Sequence, residues 1–219
     1  MKILYVFPSR SRPSKLIAAI ENIISMAKHD TYTILVSMDV DDPTVATKSF
    51  NERLLTYEKV KPAYGFSKSK VHAVNRDIWM VGDWDILCIH SDDMVVKQEG
   101  FDFDIIEAYS DGFSGICHFP DGHVNEALNT YAIMDRSYYL KFGYVYHEDF
   151  TSVYCDNLQM DIAKKLGAYK FVNKHIIEHQ HFIWGFGEKD ELLLHTENPE
   201  NYEKDKQTYY RLKTEMGLW

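Results

Sequence analysis

DILCIHSDDM, residues 85–94, joins a short apolar run directly to two adjacent carboxylates. The run from Asp85 to His90 is apolar enough for a central strand of a buried sheet, and it delivers Asp92 and Asp93 into the following loop. Adjacent carboxylates at the end of such a strand repel each other and lose hydration unless a cation neutralises them. The stretch therefore predicts a sheet with a metal or ligand site at the carboxyl ends of its strands. For SDD alone, a solvated acidic turn is the alternative.

On both sides of this stretch, short apolar runs alternate with segments of helical period, as in βαβ units. This pattern predicts further strands at 2–7, 32–38 and 115–119, with an extended stretch at 129–134. Apolar spacing and helix-end residues predict helices near 13–27, 67–80, 101–109, 157–166 and 198–216. The predicted fold class is α/β, a Rossmann-like architecture whose mostly parallel central sheet is flanked by helices.

Length and charge limit the size of the protein and its partners. A chain of 219 residues suits one domain, because most domains have roughly 50 to 250 residues. The formal net charge is −9 and no long basic stripe interrupts it, which argues against nucleic acid as a partner. We therefore predict a single domain over residues 1–219.

The N-terminal run MKILYVF is followed at once by Pro8 and Arg10, so it is too short for a signal sequence or a membrane-spanning helix. The three cysteines form no CxxC pair and suit a reduced compartment, where buried free thiols are expected; they are Cys88, Cys117 and Cys155. These observations predict a cytoplasmic protein with no membrane span.

A second cluster of metal-binding residue types, IEHQH, occupies residues 177–181. If this stretch is extended, His179 and His181 point to the same side, because side chains alternate along a strand. Imidazole with carboxylates suits Mn²⁺, whereas carboxylates with a phosphate-bearing ligand suit Mg²⁺ equally well. We interpret His175 and His195 as isolated surface histidines.

Four motifs in order along the chain resemble the landmarks of family-two glycosyltransferases of the GT-A fold. They are FPSR at 7–10, Asp39 after the second strand, KVHAVN at 70–75 and SDD at 91–93. In that family the first loop and the aspartate hold the nucleotide, the Lys/Asn helix lies beside the diphosphate, and a DxD-type motif carries metal and ribose contacts. The resemblance implies that about 1–98 binds a nucleotide sugar, with these donor-site residues: Pro8, Ser9, Arg10, Asp39, Lys70, Asn75 and Asp92.

The chain departs from the family's Asp-x-Asp pattern because Ser91 replaces the first carboxylate. The resemblance therefore implies Asp93, at the last position of the motif, as the main metal ligand. His179 and His181 resemble the C-terminal histidine that completes the metal shell in many GT-A enzymes.

The segment EDFTSVYCDN, residues 148–157, is similar to the part of such enzymes that keeps a catalytic carboxylate near a helix start. An inverting transfer needs a carboxylate to take the proton of the attacking hydroxyl. We assign this general-base role to Asp156, with Asp149 and Glu148 in reserve, in a catalytic and acceptor-binding half at about 99–219. The alternative is that Asp156 only caps a helix beginning at Asn157.

Further candidates are weaker. WGFG at 184–187 predicts a loop that closes over the donor, although its aromatic residues would also suit a core. Arg10 and Arg12 suit phosphate oxygens, with exposed charge as the alternative, favoured more for Arg12. His118 and Asp121 are candidates for the acceptor side.

The predicted function is transfer of a sugar from a nucleoside-diphosphate sugar, with UDP as the default nucleotide and Mn²⁺ or Mg²⁺ as cofactor. The acceptor is a glycan, a lipid-linked molecule or a protein. A sugar-phosphate nucleotidylyltransferase is a second enzyme class, but it would need a glycine-rich loop, and PSRSRPSK at 8–15 has no glycine. The alternative from another class is a non-catalytic nucleotide- or glycan-binding module on a degenerate GT-A fold, which the missing first aspartate favours.

Overall fold

The computed structural model describes residues 1–186 and 189–219. In chain order its strands are β1 (Ile3–Ser9), β2 (Tyr32–Asp39), β3 (Val60–Gly65), β4 (Ile86–Ile89), β5 (Met94–Val96), β6 (Ile116–His118), β7 (Ile133–Asp135), β8 (Tyr169–Phe171) and β9 (Ile177–His179). Its α-helices are α1 (Pro13–Met26), α2 (Lys48–Leu54), α3 (Lys70–Arg76), α4 (Phe101–Ala108), α5 (Arg136–Phe142), α6 (Cys155–Lys165), α7 (Glu191–Thr196) and α8 (Pro199–Glu215). One-turn 3-10 helices lie at Ile78–Met80, Asn125–Ala127 and Phe182–Trp184.

A seven-stranded sheet runs in the order β3-β2-β1-β4-β7-β6-β8. The strands β3, β2, β1 and β4 run parallel to one another, and β6 pairs in parallel with β8. Only β7 runs antiparallel to its partners β4 and β6 among these described strands. The predicted α/β class with a mostly parallel sheet is therefore confirmed.

Both faces of the central strand β1 are buried, which explains its unbroken apolar sequence. Alternate residues enter two different cores: Tyr5 and Phe7 pack with α1 and α4, whereas Leu4 and Val6 pack with α3 and α6. The helices therefore cover the sheet on both sides and leave its strand ends as the place for a cleft.

Strong periodicity located most elements to within two residues, including β1, β2, β4, β6, α1, α4, α6 and α8. The predicted helix at 67–80 is shorter, because Ser69 Oγ accepts the N–H of His72 and begins α3, which ends before Asp77. Strand β3 was not predicted: it lies at the sheet edge and contains Pro62, which an edge strand tolerates. Helix α5 was also missed, since it spans only seven residues and depends on the cap Asp135.

No helix within the two described ranges combines the length and the apolar character that crossing a bilayer requires.

Gly115 gives a direct test of the β6–β8 pairing. A Cβ at this position would lie 2.2 Å from the carbonyl oxygen of Ala168, whereas one at Gly82 would meet nothing within 4 Å. We expect Gly115→Ala to lower the free energy of unfolding by about 3 kcal/mol, because backbone must move to admit the methyl group. Gly82→Ala should change it by less than about 1 kcal/mol. Urea unfolding of both variants measures this difference, and equal effects would contradict the pairing.

Candidate functional site

A cleft of about 730 Å³ opens where β1, β2 and β4 end. In an open, largely parallel sheet this edge is the usual place for ligands. Ten of the residues predicted from sequence line the cleft: Pro8, Ser9, Arg10, Asp39, Lys70, Asp92, Asp93, Asp156, His179 and His181. Residues far apart in the chain therefore share one cavity.

The small antiparallel pair β5–β9 joins the acidic loop to the histidine segment. Met94 pairs with His179, and the N–H of Gln180 donates to the carbonyl oxygen of Asp93 at 2.7 Å. The segment is extended, which is the condition for the two histidines to share a side, and the rings of His179 and His181 have centroids 5.4 Å apart. This pairing brings Nε2 of His179 to 3.5 Å from Oδ1 of Asp93.

The carboxylate of Asp93 is strongly stabilised in its charged form. Burial alone would raise its pKa, but the hydrogen bond and charge of His179, together with the hydroxyl of Ser91, hold the pKa well below its usual range. The Oγ of Ser91 donates to Oδ1 of Asp93 at 2.5 Å. Ser91, which stands where the Asp-x-Asp pattern has its first aspartate, thus donates a hydrogen bond to Asp93 at the last position.

Asp93 and His179 fit a divalent cation as one oxygen and one nitrogen ligand. No group of three or more His, Cys, Asp or Glu side chains in the described ranges is arranged to hold a metal ion. His181 faces Glu197 instead, with 3.6 Å between Nε2 and Oε2. The donor set therefore suits an ion that takes its other ligands from phosphate oxygens and water, as Mg²⁺ commonly does.

Arg12 is buried in an ion-pair network, contrary to the exposure favoured from sequence. Its guanidinium donates to Asp92 at 2.9 Å and to Asp190 at 2.7 Å. Its side chain is 9% exposed, whereas that of Arg10 is 39% exposed. Burial raises the pKa of Asp92 to about 6, although the charge of Arg12 opposes that rise. Asp92 therefore lines the cleft, but its carboxylate is paired with Arg12.

Asp39 is held by two guanidinium groups at the end of β2. Arg10 donates to Oδ2 at 2.8 Å, and Arg76 donates to Oδ1 at 3.0 Å. Arg10 also donates to Asp41, from Nη1 at 2.8 Å and from Nη2 at 3.3 Å. Both terminal nitrogens of Arg10 therefore contact carboxylates. Sequence reasoning missed Arg76, because its contact with Asp39 depends on how α3 packs against β2.

Asp156 lies inside the first turn of α6 and faces the cleft. The helix begins at Cys155 after the N-cap residue Tyr154, so the alternative that Asp156 is the N-cap of a helix beginning at Asn157 is wrong. Its Oδ1 accepts the N–H of Asn157 at 2.9 Å. Burial raises the pKa of Asp156 despite that bond and the positive charge of Lys70. A carboxylate with a raised pKa in a cleft is suited to accepting a proton.

Lys70 begins α3, lines the cleft and acts electrostatically on three of its acids. Its charge lowers the pKa of both Asp93 and Glu197, and it opposes the rise at Asp156. Among the described residues it makes no ion pair within 4.0 Å. It is thus available to an anionic ligand, which the paired Arg10 and Arg12 are not.

Two predicted site residues lie outside the cleft. Oδ1 of Asn75 accepts the N–H of Val145 at 2.9 Å and its Nδ2 donates to the carbonyl of Tyr146 at 2.7 Å, so its amide ties α3 to the 145–146 segment. Asp149 pairs with Arg211 of α8 at 2.5 Å on the protein surface. Glu148, the other reserve, is exposed and does not line the cleft.

The weaker candidates are divided. Asp121 lines the cleft, but its Oδ1 accepts three backbone N–H groups from residues 123–125. His118 is buried away from the cleft, with Nδ1 2.5 Å from the hydroxyl of Tyr169. Trp184 lines the cleft, is 43% exposed and stacks on His123 at 5.0 Å, so it is not a core residue. Gly187 of the predicted closing loop lies outside the described residues.

No protein-family model and no curated protein sequence matches this chain. Its fold does match solved structures. A mannosyltransferase from Pyrobaculum calidifontis in complex with GDP-Man and Mn²⁺ gives a TM-score of 0.69 at 11% identity, covering 82% of this chain and 57% of the other. TarS of S. aureus, residues 1–349, gives 0.63 at 11% identity, covering 81% and 60%.

A third match is glucosyl-3-phosphoglycerate synthase from Mycobacterium tuberculosis, in complex with Mn²⁺, UDP and glucosyl-3-phosphoglycerate. Its TM-score is 0.56 at 12% identity, covering 82% of this chain and 72% of the other. The chain spans less than two thirds of the length of the first two proteins. These matches show that it has a GT-A-like glycosyltransferase fold.

The buried imidazole of His118 predicts acid sensitivity. Burial lowers its pKa from 6.5 to about 4, so the folded protein resists a proton that the unfolded chain accepts. The free energy of unfolding should therefore fall as pH decreases from 6.5 to 4. His118→Gln should reduce that fall by about 2–3 kcal/mol. Urea unfolding across this pH range tests it, with exposed His175→Gln as control; an unchanged pH profile in His118→Gln would contradict the assignment.

Proposed function

We propose that this chain is a metal-dependent glycosyltransferase that moves a sugar from a nucleoside-diphosphate sugar to a hydroxyl acceptor. One observation carries the proposal: a single cleft holds the Asp93–His179 pair, Lys70, which has no ion pair within the described part of the chain, and the carboxylate of Asp156. Asp93, His179 and Lys70 suit a diphosphate with its divalent cation, and Asp156 suits removal of a proton from an acceptor.

The donor would bind in the half formed by about residues 1–98. Pro8 and Ser9 line the cleft at the end of β1, and the fixed carboxylate of Asp39 lines it at the end of β2. An acceptor-only carboxylate held by two guanidinium groups would accept N–H bonds from a base or hydroxyls from a ribose. UDP is the first nucleotide to test and GDP the second, since one neighbouring structure contains UDP and another contains GDP-Man.

Asp93 and His179 would hold the divalent cation. When bound, Mn²⁺ or Mg²⁺ would stabilise the charge that develops on the leaving diphosphate. Lys70 adds a flexible ammonium group, which binds phosphate as a point charge. His181, the other predicted ligand, pairs with Glu197 and would lie beside the ligand His179.

Asp156 would act as the general base in the acceptor half, at about 99–219. The acceptor oxygen forms a bond to the anomeric carbon as its proton passes to the Asp156 carboxylate and the bond to the diphosphate oxygen breaks. Attack from the side opposite the diphosphate inverts the anomeric configuration. The raised pKa of Asp156 favours this role, because the best bases titrate near the working pH.

The acceptor belongs to one of three classes: a glycan, a lipid-linked molecule or a protein. The cytoplasmic location expected from the sequence stays a prediction.

A second candidate function is a nucleotide- or glycan-binding module without turnover. It is favoured by Ser91 in place of a carboxylate and by the pairing of Asp92 with Arg12, which together leave Asp93 as the one acid of the motif that is not held by an arginine. Binding without transfer would identify it.

Thermal stability against a panel of nucleotides tests the donor site. We expect UDP, UDP-sugars or the GDP equivalents to raise the melting temperature only with Mn²⁺ or Mg²⁺, because a ligand of the native state stabilises it by mass action. At 100 times Kd the gain is about 2.7 kcal/mol. AMP without metal serves as control. No shift with any nucleoside diphosphate would contradict a donor site in this cleft.

Two substitutions separate binding from transfer. Asp93→Ala should weaken metal-dependent donor binding at least about 10-fold, because it removes a ligand. Asp156→Asn should leave donor binding intact and lower kcat by about 10²- to 10⁴-fold, since its amide cannot take a proton. Calorimetric titration and a released-nucleotide assay measure these effects.

The matched control is Asp149→Asn, which lies outside the cleft and should match the unsubstituted protein in both assays. Unchanged donor affinity in Asp93→Ala would refute the metal assignment. Full turnover in Asp156→Asn would refute the base.

A further inference from the structure

Helix α8 is largely exposed, yet it buries one charged side chain. Only Asp205 and Leu212 of its 17 residues are buried, and Asp205 has no exposed surface at all. An isolated buried carboxylate is costly unless it is paired or hydrogen-bonded. The contacts of Asp205 therefore indicate what α8 stabilises.

Asp205 accepts three consecutive backbone N–H groups from the segment before α6. Its Oδ1 accepts from Thr151 at 2.9 Å, and its Oδ2 accepts from Ser152 at 2.7 Å and from Val153 at 2.9 Å. Three donors converging on one side chain need a group that only accepts, which an ionised carboxylate is. The segment 151–153 is thus fixed to α8 through its own backbone.

The next residue is in a strained conformation that α8 also supports. Tyr154 has φ 60° and ψ −7°, in the left-handed region that bulky residues rarely adopt. Its ring packs against Tyr202 and Tyr209 of α8, with centroids 6.4 Å and 5.7 Å away. Strain of this kind persists only where the surrounding structure enforces it.

The same segment forms part of the cleft. Residues 151–154 line it together with Asp156, which follows Tyr154 by two positions in the first turn of α6. The carbonyl of Thr151 also accepts the N–H of Val71, next to Lys70, at 3.5 Å. The position of Asp156 relative to Lys70 therefore depends on where 151–154 is held.

We propose that Asp205 is a positioning residue for transfer: its carboxylate anchors 151–153 to α8 and thereby sets Asp156 against the donor. This inference rests on the proposed function, because it takes Asp156 as the general base. Asp205 does not touch the cleft and acts only through the segment that it holds.

Asp205→Asn tests the anchor, because the amide keeps the size but replaces one acceptor oxygen with a donor. We expect kcat to fall about 10- to 100-fold with donor KM within about 3-fold, since displacement of a reacting group by about 1 Å can cost 100-fold. An equal loss in both parameters, or no loss in kcat, would overturn the proposal.

A double-mutant cycle distinguishes action through Asp156 from general damage. In the Asp156→Asn background, Asp205→Asn should lower the remaining rate by less than about 3-fold, because the group that it positions is already gone. Multiplicative losses would overturn the proposal.

Asp161→Asn is the matched control at the same α6–α8 interface. Asp161 accepts from Tyr209 at 2.6 Å and from Lys213 at 2.8 Å, away from the cleft. Its kcat should stay within about 2-fold of the unsubstituted protein, because pairs away from the cleft do not set the base. A loss as large as that of Asp205→Asn would show that α8 docking alone matters.

Hydrogen exchange separates failure of this inference from failure of the proposed function. Amides of 151–153 should exchange at least about 10-fold faster in Asp205→Asn than in Asp161→Asn, with no substrate present. Unchanged exchange overturns the anchor even if the enzyme is active. If the unsubstituted protein transfers no sugar from any donor, the proposed function and the catalytic role both fail, while faster exchange still establishes the anchor.

If Asp205→Asn does not fold, Asp205→Glu provides the second variant. It retains an acceptor-only group one methylene longer, so the three amides should stay protected while kcat falls with donor KM unchanged. An unaltered kcat in Asp205→Glu would overturn the proposal.

Discussion

The antiparallel pairing of β5 with β9 is the contact on which the cleft depends. It fixes residues 94–96, directly after the acidic loop, against residues 177–179, and so carries His179 to Asp93. The two clusters are far apart in the sequence, and this pairing brings them together in space. Because strand pairing is set by backbone hydrogen bonds, the relative position of carboxylate and imidazole is fixed before any ligand arrives. The cleft is in this sense preorganised.

Charge is distributed unevenly around this contact. The acids at the ends of β2 and β4 are largely neutralised within the protein, where Arg10 and Arg76 hold Asp39 and Arg12 holds Asp92. Asp93, beside His179, and Lys70 line the cavity. An anionic ligand with a divalent cation would complete the balance that internal pairs provide elsewhere. The three arginines are thus paired with carboxylates of this chain at the cleft edge.

The elements that were predicted from the sequence are those with a clear local periodicity. Runs such as Ile86–Ile89 and the apolar stripe of α1 fixed element type and approximate bounds, because a strand or helix of that period can bury its apolar face in only one way. The short helix α5 and the edge strand β3 gave no such pattern. For single residues the method failed where partners are distant, as with Asn75, whose amide is consumed by the 145–146 backbone.

The sequence by itself determined the α/β class, the strands and helices with a strong apolar period, and the acidic and histidine motifs at their ends, since these depend on neighbours a few positions apart. Only the tertiary structure decided which motif residues face the cleft and which are used internally: Asp93 meets His179, Asp92 is occupied by Arg12, and Asp149 lies outside. The reason is physical. Side-chain roles follow from pairings across 80 or more residues, such as Arg12 with Asp92 and Asp190, and no local period encodes such pairings.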